Sequence, residues 1–308
     1  MSTAIIRACN IISTPKNTGK QCDTAMVATA MLIAMQRGLE FDDSDLSDPV
    51  AWLTDLIHQK KAFPLFGQKA PIREIQNDTA QDQIVELDDG LKVFLRYGMY
   101  NRTFGTTSGG LCYAEALQSF LNSGYDIVEI DQQGQMLARK NANGTYSPLI
   151  TDFMYAPAPV IADFKSTPYK NRFSYSYSPV ELVQNGIIFK GAFALLSMTG
   201  LIDAVITKAA AATTTKLKIG VKTKCSEKDL VASNGTALND TDNFIVTLKS
   251  TGVVQSIASS AIVSGHIELT GTFTSTETYR ITGSSPSVWL SNGIEGYDGS
   301  VDYIDITV

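Results

Sequence analysis

The chain is poor in the residues that most often carry chemistry. It has two histidines, His58 and His266, in 308 residues. They fall in different predicted domains, so an imidazole pair has no local source, and no nucleophile elbow is present. Four cysteines, Cys9, Cys22, Cys112 and Cys225, are scattered. No C-x-x-C occurs, which excludes the common zinc spacings. Cation is not in surplus: the net charge is -6 and the pI near 5.0. That argues against tight, phosphate-driven nucleic-acid binding, though DNA could slide past such a surface without sticking. Long apolar runs are missing too; Ala25 to Met35 and Gly186 to Leu201 are too short or too interrupted to span a bilayer. Met1-Ser-Thr-Ala-Ile-Ile-Arg7 has no signal-peptide pattern, so synthesis in a reducing cytoplasm is expected. At this length a disulfide scaffold is unnecessary, and Cys112 reads as a small buried hydrophobe.

Nucleotide and metal motifs fail on inspection. Gly105-Thr-Thr-Ser-Gly-Gly110 precedes a helix, where backbone amides could cradle phosphate. It lacks a following Lys-Ser/Thr and a spaced G-x-G-x-x-G, so it reads as a loop with Ser108 as helix N-cap. The acids Asp42, Asp43, Asp45 and Asp48 suggest calcium. An EF-hand loop counted from Asp43 puts Asp48 where glycine is needed and Thr54 where glutamate is needed. Asp88-Asp89-Gly90 reads as a hairpin turn rather than a carboxylate pair for acid/base work. The sequons Asn143-Gly-Thr145 and Asn234-Gly-Thr236 read as chance matches.

What is present is enough apolar sequence, 44%, for two domains with real cores. Leu91 to Leu137 organises the first. It predicts a strand at Leu91 to Tyr97 covered on both faces at Phe94, and a helix over Leu111 to Leu121. That helix buries Tyr113, Leu117, Phe120 and Leu121; strands follow at Ile127 to Ile130 and from Met136. Upstream, an N-terminal arm or edge strand precedes a strand at Val27 to Met35. Next comes a helix over Pro49 to Lys60, capped by Ser47 or Asp48, with Val50, Leu53, Leu56 and Ile57 inward. Downstream, Phe173, Tyr175 and Tyr177 alternate with serines as a strand, and two further strands surround Met198-Thr-Gly200. Lys208 to Thr215 is a low-complexity junction, placing the domains at 1–208 and 216–308. The second domain shows no helix signal. Its strands, Leu217 to Val221, Phe244 to Leu248, Ile267 to Leu269, Tyr279 to Ile281 and Val301 to Val308, have the spacing of a β-sandwich. Asn234-Gly235 and Asn292-Gly293 mark turns, and Cys225 alone cannot make an inter-sheet bridge.

The order LSDPVAWLTDLIHQKKAFPLFG, LKVFLRYGMYNRTF, GGLCYAEALQSF, DIVEIDQQGQML and RFSYSYSPVELV, ahead of a β-rich module, resembles structural proteins of tailed phages and prophages of Bacteroidetes. The architecture is similar to that of tail tube proteins. The resemblance covers roughly residues 20 to 308 in element order and rests on short patterns. It implies a mainly β (α+β) fold: an N-terminal tail-tube-like β-sandwich or half-barrel with two short helices, followed by an Ig-like β-sandwich. It also implies a virion subunit, made in the bacterial cytoplasm, that self-associates into stacked hexameric rings around a weakly acidic DNA conduit. Partners would be further copies and other virion proteins, without tight nucleic-acid binding and without membrane. The N-terminal arm and the 105–110 loop become candidate inter-subunit contacts. No catalytic, cofactor-binding or metal-binding residue is implied, and the protein reads as a non-enzyme. Alternatives are another virion part (capsid, decoration or head-tail connector protein) and a surface glycan-binding adhesin or fibre module. In the latter Trp289 and Tyr297 would stack on sugars, unless Trp289 is a core aromatic.

Overall fold

The computed structural model describes residues 6–7, 26–67, 70–88, 90–121, 124–163, 168–190, 201–225, 227–284, 289, 293–295 and 303–308. They form a mainly β structure in two compact units, Met1–Thr199 and Gly200–Val308.

In the first unit the chain runs β1 (Ile6–Arg7), β2 (Thr29–Gln36), α1 (Pro49–His58), β3 (Ala62–Phe66), β4 (Glu74–Thr79), β5 (Gln83–Glu86), β6 (Lys92–Arg96) and β7 (Tyr100–Thr106). It continues through α2 (Leu111–Gln118), β8 (Tyr125–Asp131), β9 (Gln135–Lys140), β10 (Tyr146–Ser147), β11 (Phe153–Tyr155), β12 (Asn171–Tyr177), α3 (Pro179–Asn185) and β13 (Gly186–Lys190). One sheet has the order β1-β13-β9-β8-β2-β3, with β10 also on β9; a second has the order β11-β12-β7-β4. Both are antiparallel. The sheets pack face to face: Leu32, Ala34 and Ile127 of the first share a core with Phe104, Phe173, Tyr175 and Met154 of the second. The opposite face of the first sheet is covered as well. Met31, Ile33, Val128 and Ile130 are fully buried there, which is why these strands read as continuous apolar runs rather than alternations. Phe41 links this face to α1, its ring 4.9 Å from Trp52 and 6.2 Å from Phe189.

The α1 helix starts as its sequence dictates. The Asp48 carboxylate accepts from the Ala51 amide at 3.1 Å, with Pro49 in the first turn, where a missing N–H costs nothing. The expectation fails at α2, whose N-cap is Gly110 without a side-chain bond. Ser108 instead turns back, its amide donating to Thr106 Oγ1 at 3.1 Å. Ala114 and Leu117 are its buried residues, and Leu121, past its end, is exposed. A third helix was not foreseen. The α3 helix follows the Tyr-Ser-Tyr strand directly, with Ser178 Oγ accepting from Val180 N at 3.3 Å ahead of Pro179.

The second unit runs β14 (Ile202–Lys208), β15 (Lys216–Thr223), α4 (Val231–Leu238), β16 (Phe244–Leu248), β17 (Val254–Gln255), β18 (Ile257–Val263), β19 (His266–Gly271), β20 (Thr278–Gly283), β21 (Ile294–Glu295) and β22 (Tyr303–Thr307). Its sheets have the orders β18-β19-β15-β14-β21 and β17-β16-β20-β22. Leu217, Ile219 and Ile267 of one meet Val246, Ile281 and Ile306 of the other in an apolar core. Two expectations are corrected here. The junction 208–215 is not a domain boundary: β14 pairs with β15 from Ala204↔Thr223 to Lys208↔Ile219, so the low-complexity stretch joins two strands of one sheet and the division falls at 199/200. The second unit also has a helix. Asn234-Gly235, expected as a turn, lies inside α4, where Asn234 (φ -123°) leaves helical geometry. The strand β18 was missed: Ser and Ala at its centre interrupt the alternation that Ile257, Ile262 and Val263 would otherwise set.

Candidate functional site

Two features of the first unit stand out. One is an arm. The strands β5 and β6 form their own two-stranded sheet, continuing the β4/β7 ladder beyond the sandwich through the bond from Ala80 N to Met99 O at 2.9 Å. The pairs Val85↔Val93 and Ile84↔Phe94 set its register. Leu87 N bonds Leu91 O at 2.9 Å across the turn, and Gly90 there has φ +80°. Opposite residues share a face, so Val85, Leu87, Leu91 and Val93 make one wholly apolar face. The other face holds Ile84, Phe94 and the Glu86–Lys92 ion pair at 3.8 Å. Among the described residues both faces stand largely open: Leu87 is 46% exposed, Leu91 58% and Phe94 46%, with the Tyr97 ring 4.5 Å from that of Phe94. This corrects the expectation of a strand covered on both faces at Phe94. An isolated hairpin is marginal in water, and contiguous exposed apolar residues are a common mark of an interaction surface.

The second feature is a cleft at the arm's root, of about 550 Å³. Its walls include Val27, Ile75, Tyr100, Leu137 and Tyr177, and Arg102 reaches into it. Behind Arg102 lies Glu129, 0% exposed. Arg102 Nη1 donates to both Glu129 oxygens, the Tyr175 hydroxyl donates to Oε1, and Thr29 Oγ1 donates to Oε2 at 2.5 Å. Arg102 Nε is held by Asn77 Oδ1 at 3.0 Å. Burial is the largest influence on the Arg102 pKa and by itself would lower it, but the charge of Glu129, the tyrosines Tyr175 and Tyr177 and the Glu129 hydrogen bond together outweigh it and the net direction is up. Burial, followed by the Glu129 charge, pushes the Tyr175 hydroxyl well above its ordinary value and that of Tyr177 up to about 12. The carboxylate is thus saturated by this chain's own donors and does not line the cleft. The arrangement fixes how the two sheets meet rather than activating a nucleophile. Sequence reasoning missed it; the one signal was a glutamate at an inward position of Ile127-Val-Glu-Ile130.

The residues singled out from sequence go elsewhere. Asp42 closes a local turn, its Oδ1 accepting from the Ser44 amide at 2.7 Å, and the Ser44 hydroxyl and amide lower its pKa. Asp88 is exposed in the arm's turn; Asp89 lies outside the described residues. His58 ends α1, and His266 begins β19 in the other unit, Nε2 3.6 Å from Glu268. The 105–110 loop is tied to β12 by Asn171 Nδ2, which donates to Ser108 O at 3.1 Å. Of the N-terminal arm, Ile6–Arg7 pairs with β13 of its own unit; the rest of 1–20 lies outside the described residues. Trp289 is a core aromatic, buried, its Nε1 donating to Asn243 O at 2.9 Å; Tyr297 lies outside the described residues. Cys112 and Cys225 are each disulfide-bonded, which corrects the reading of Cys112 as a free hydrophobe. No family model, no curated protein and no solved structure matches the chain.

Proposed function

We propose that this chain is a structural subunit of a tailed-phage particle, a tail tube subunit that self-associates into stacked rings around a DNA conduit. The observation that carries this reading is the arm: a hairpin projecting from the sandwich, with an apolar face left exposed among the described residues. A second copy is the partner every copy meets at high local concentration, and closing strands into rings also removes exposed edges. The net charge of -6 suits a conduit that repels DNA enough to let it pass. Disulfides at Cys112 and Cys225 suit a particle that leaves the reducing cytoplasm. A glycan-stacking role loses its main candidate with Trp289 buried.

Light scattering and negative-stain electron microscopy of the purified protein test the proposal. Rings or tubes with a central channel are the expected result. A monomer that persists at high concentration would sink it.

A further inference from the structure

We propose that the cleft beneath the arm is the socket for the arm tip of a second copy, so that subunits join head to tail. The inference rests on the assembly reading above and specifies its contact.

Three observations carry it. First, the cleft opens between strand edges that have no partner among the described residues. The strand β4 pairs only with β7, and the start of β2 pairs only with β8, since β3 joins from Leu32 onward. An incoming ribbon could satisfy such edges by strand addition. Second, the walls match the arm: Val27, Ile75, Tyr100 and Leu137 offer apolar surface to Leu87 and Leu91. A space of about 550 Å³ takes a few side chains, hence the tip rather than the whole ribbon. Third, the arm cannot serve itself. It leaves from Thr79 and Tyr100, on the rim of its own cleft, and its tip lies at the far end of a paired ribbon. The socket it fits is therefore on another molecule. Tip and socket are different surfaces, so the contact is heterologous and closes into rings or runs on as a filament.

Two variants of the full chain decide the matter. Leu87→Asp with Leu91→Asp spoils the tip; Val27→Asp with Thr79→Glu spoils the socket. All four positions are exposed, and unchanged circular dichroism would show that each variant folds. Each variant by itself should lose assembly and sediment as a monomer. Mixed in equal amounts they should form a one-to-one dimer, because one copy keeps a sound tip and the other a sound socket. A mixture that stays monomeric, or a socket variant that assembles as the parent does, overturns the socket. If the parent chain itself never assembles, the functional reading fails along with it. If the parent and the socket variant both assemble, only the socket is lost.

Discussion

The two units answer one packing problem in different ways. Each lays a four-stranded sheet on a larger one. The second fills the space with Leu217, Ile219, Val246, Ile267, Trp289 and their neighbours, all apolar or amphipathic. Its buried carboxylate, Glu268, lies outside that core cluster, held by Lys216 Nζ at 2.6 Å. The first unit puts Glu129 and Arg102 inside the sandwich and also buries Asp126 and Asp131, near the two ends of β8. Asp131 caps the β8–β9 turn, accepting from the Gln133 and Gln135 amides at 2.8 and 2.9 Å. Burial raises the Asp126 pKa, partly offset by the Thr151 amide and Arg37. An apolar core is cheaper to stabilise, because a buried ion pair must recover its desolvation cost. What the pair adds is register: a one-residue slip of β8 would carry Glu129 away from Arg102 and onto an apolar face.

The chain's two tryptophans report separately, Trp52 in the first unit and Trp289 in the second, and four experiments turn that to account. Glu129→Ala leaves Arg102 buried without its counter-charge; it should cost about 3–5 kcal/mol, seen as an earlier urea transition of Trp52 fluorescence. Leu217→Ala should cost about 2–5 kcal/mol, read at Trp289, the reverse of the first pattern. Glu129→Leu with Arg102→Met should cost far less than Glu129→Ala, since removing both charges removes the desolvation cost too; a double variant as unstable as the single would mean the pair is a net stabiliser. The fourth is alkaline. In the unfolded chain Tyr175 and Tyr177 ionise near pH 10. In the fold Tyr177 holds its proton to about 12, and Tyr175 is raised well above its ordinary value. The unfolded state therefore releases protons first, and their stabilisation, complete below about pH 10, declines as pH rises from there through about 12. The Trp52 transition should move to lower urea over that range. Tyr177→Phe should flatten the slope.

Legibility in the sequence followed the same division. The second unit's alternating strands, such as β15 and β20, were readable because their inward positions are apolar; β18 was not. Its helix was not, because Asn-Gly has the chemistry of a turn and only tertiary packing of Val231 and Leu238 holds it helical. In the first unit β2, α1 and the Asp88–Gly90 turn were legible from run length, capping and turn chemistry. The arm's exposure was not, since alternation in Lys92–Arg96 looks the same whether a face meets a core or another molecule. The boundary was misplaced because low complexity between β14 and β15 imitates a linker. The ion pair across the sandwich was invisible, as Arg102 and Glu129 meet only through the stacking of two sheets.

At Gly98 an added Cβ would stand 1.6 Å from the carbonyl oxygen of Ala80, while the Gly98 amide is held by Asp82 Oδ1 at 2.8 Å. No side chain fits there without displacing the root of the ribbon, so its bearing depends on that glycine. Whatever the arm grips, it grips from that angle, and the curvature of any array built through it is set at a position that admits a single amino acid. Replacing that glycine would leave both ends of the contact chemically intact and aim them past each other.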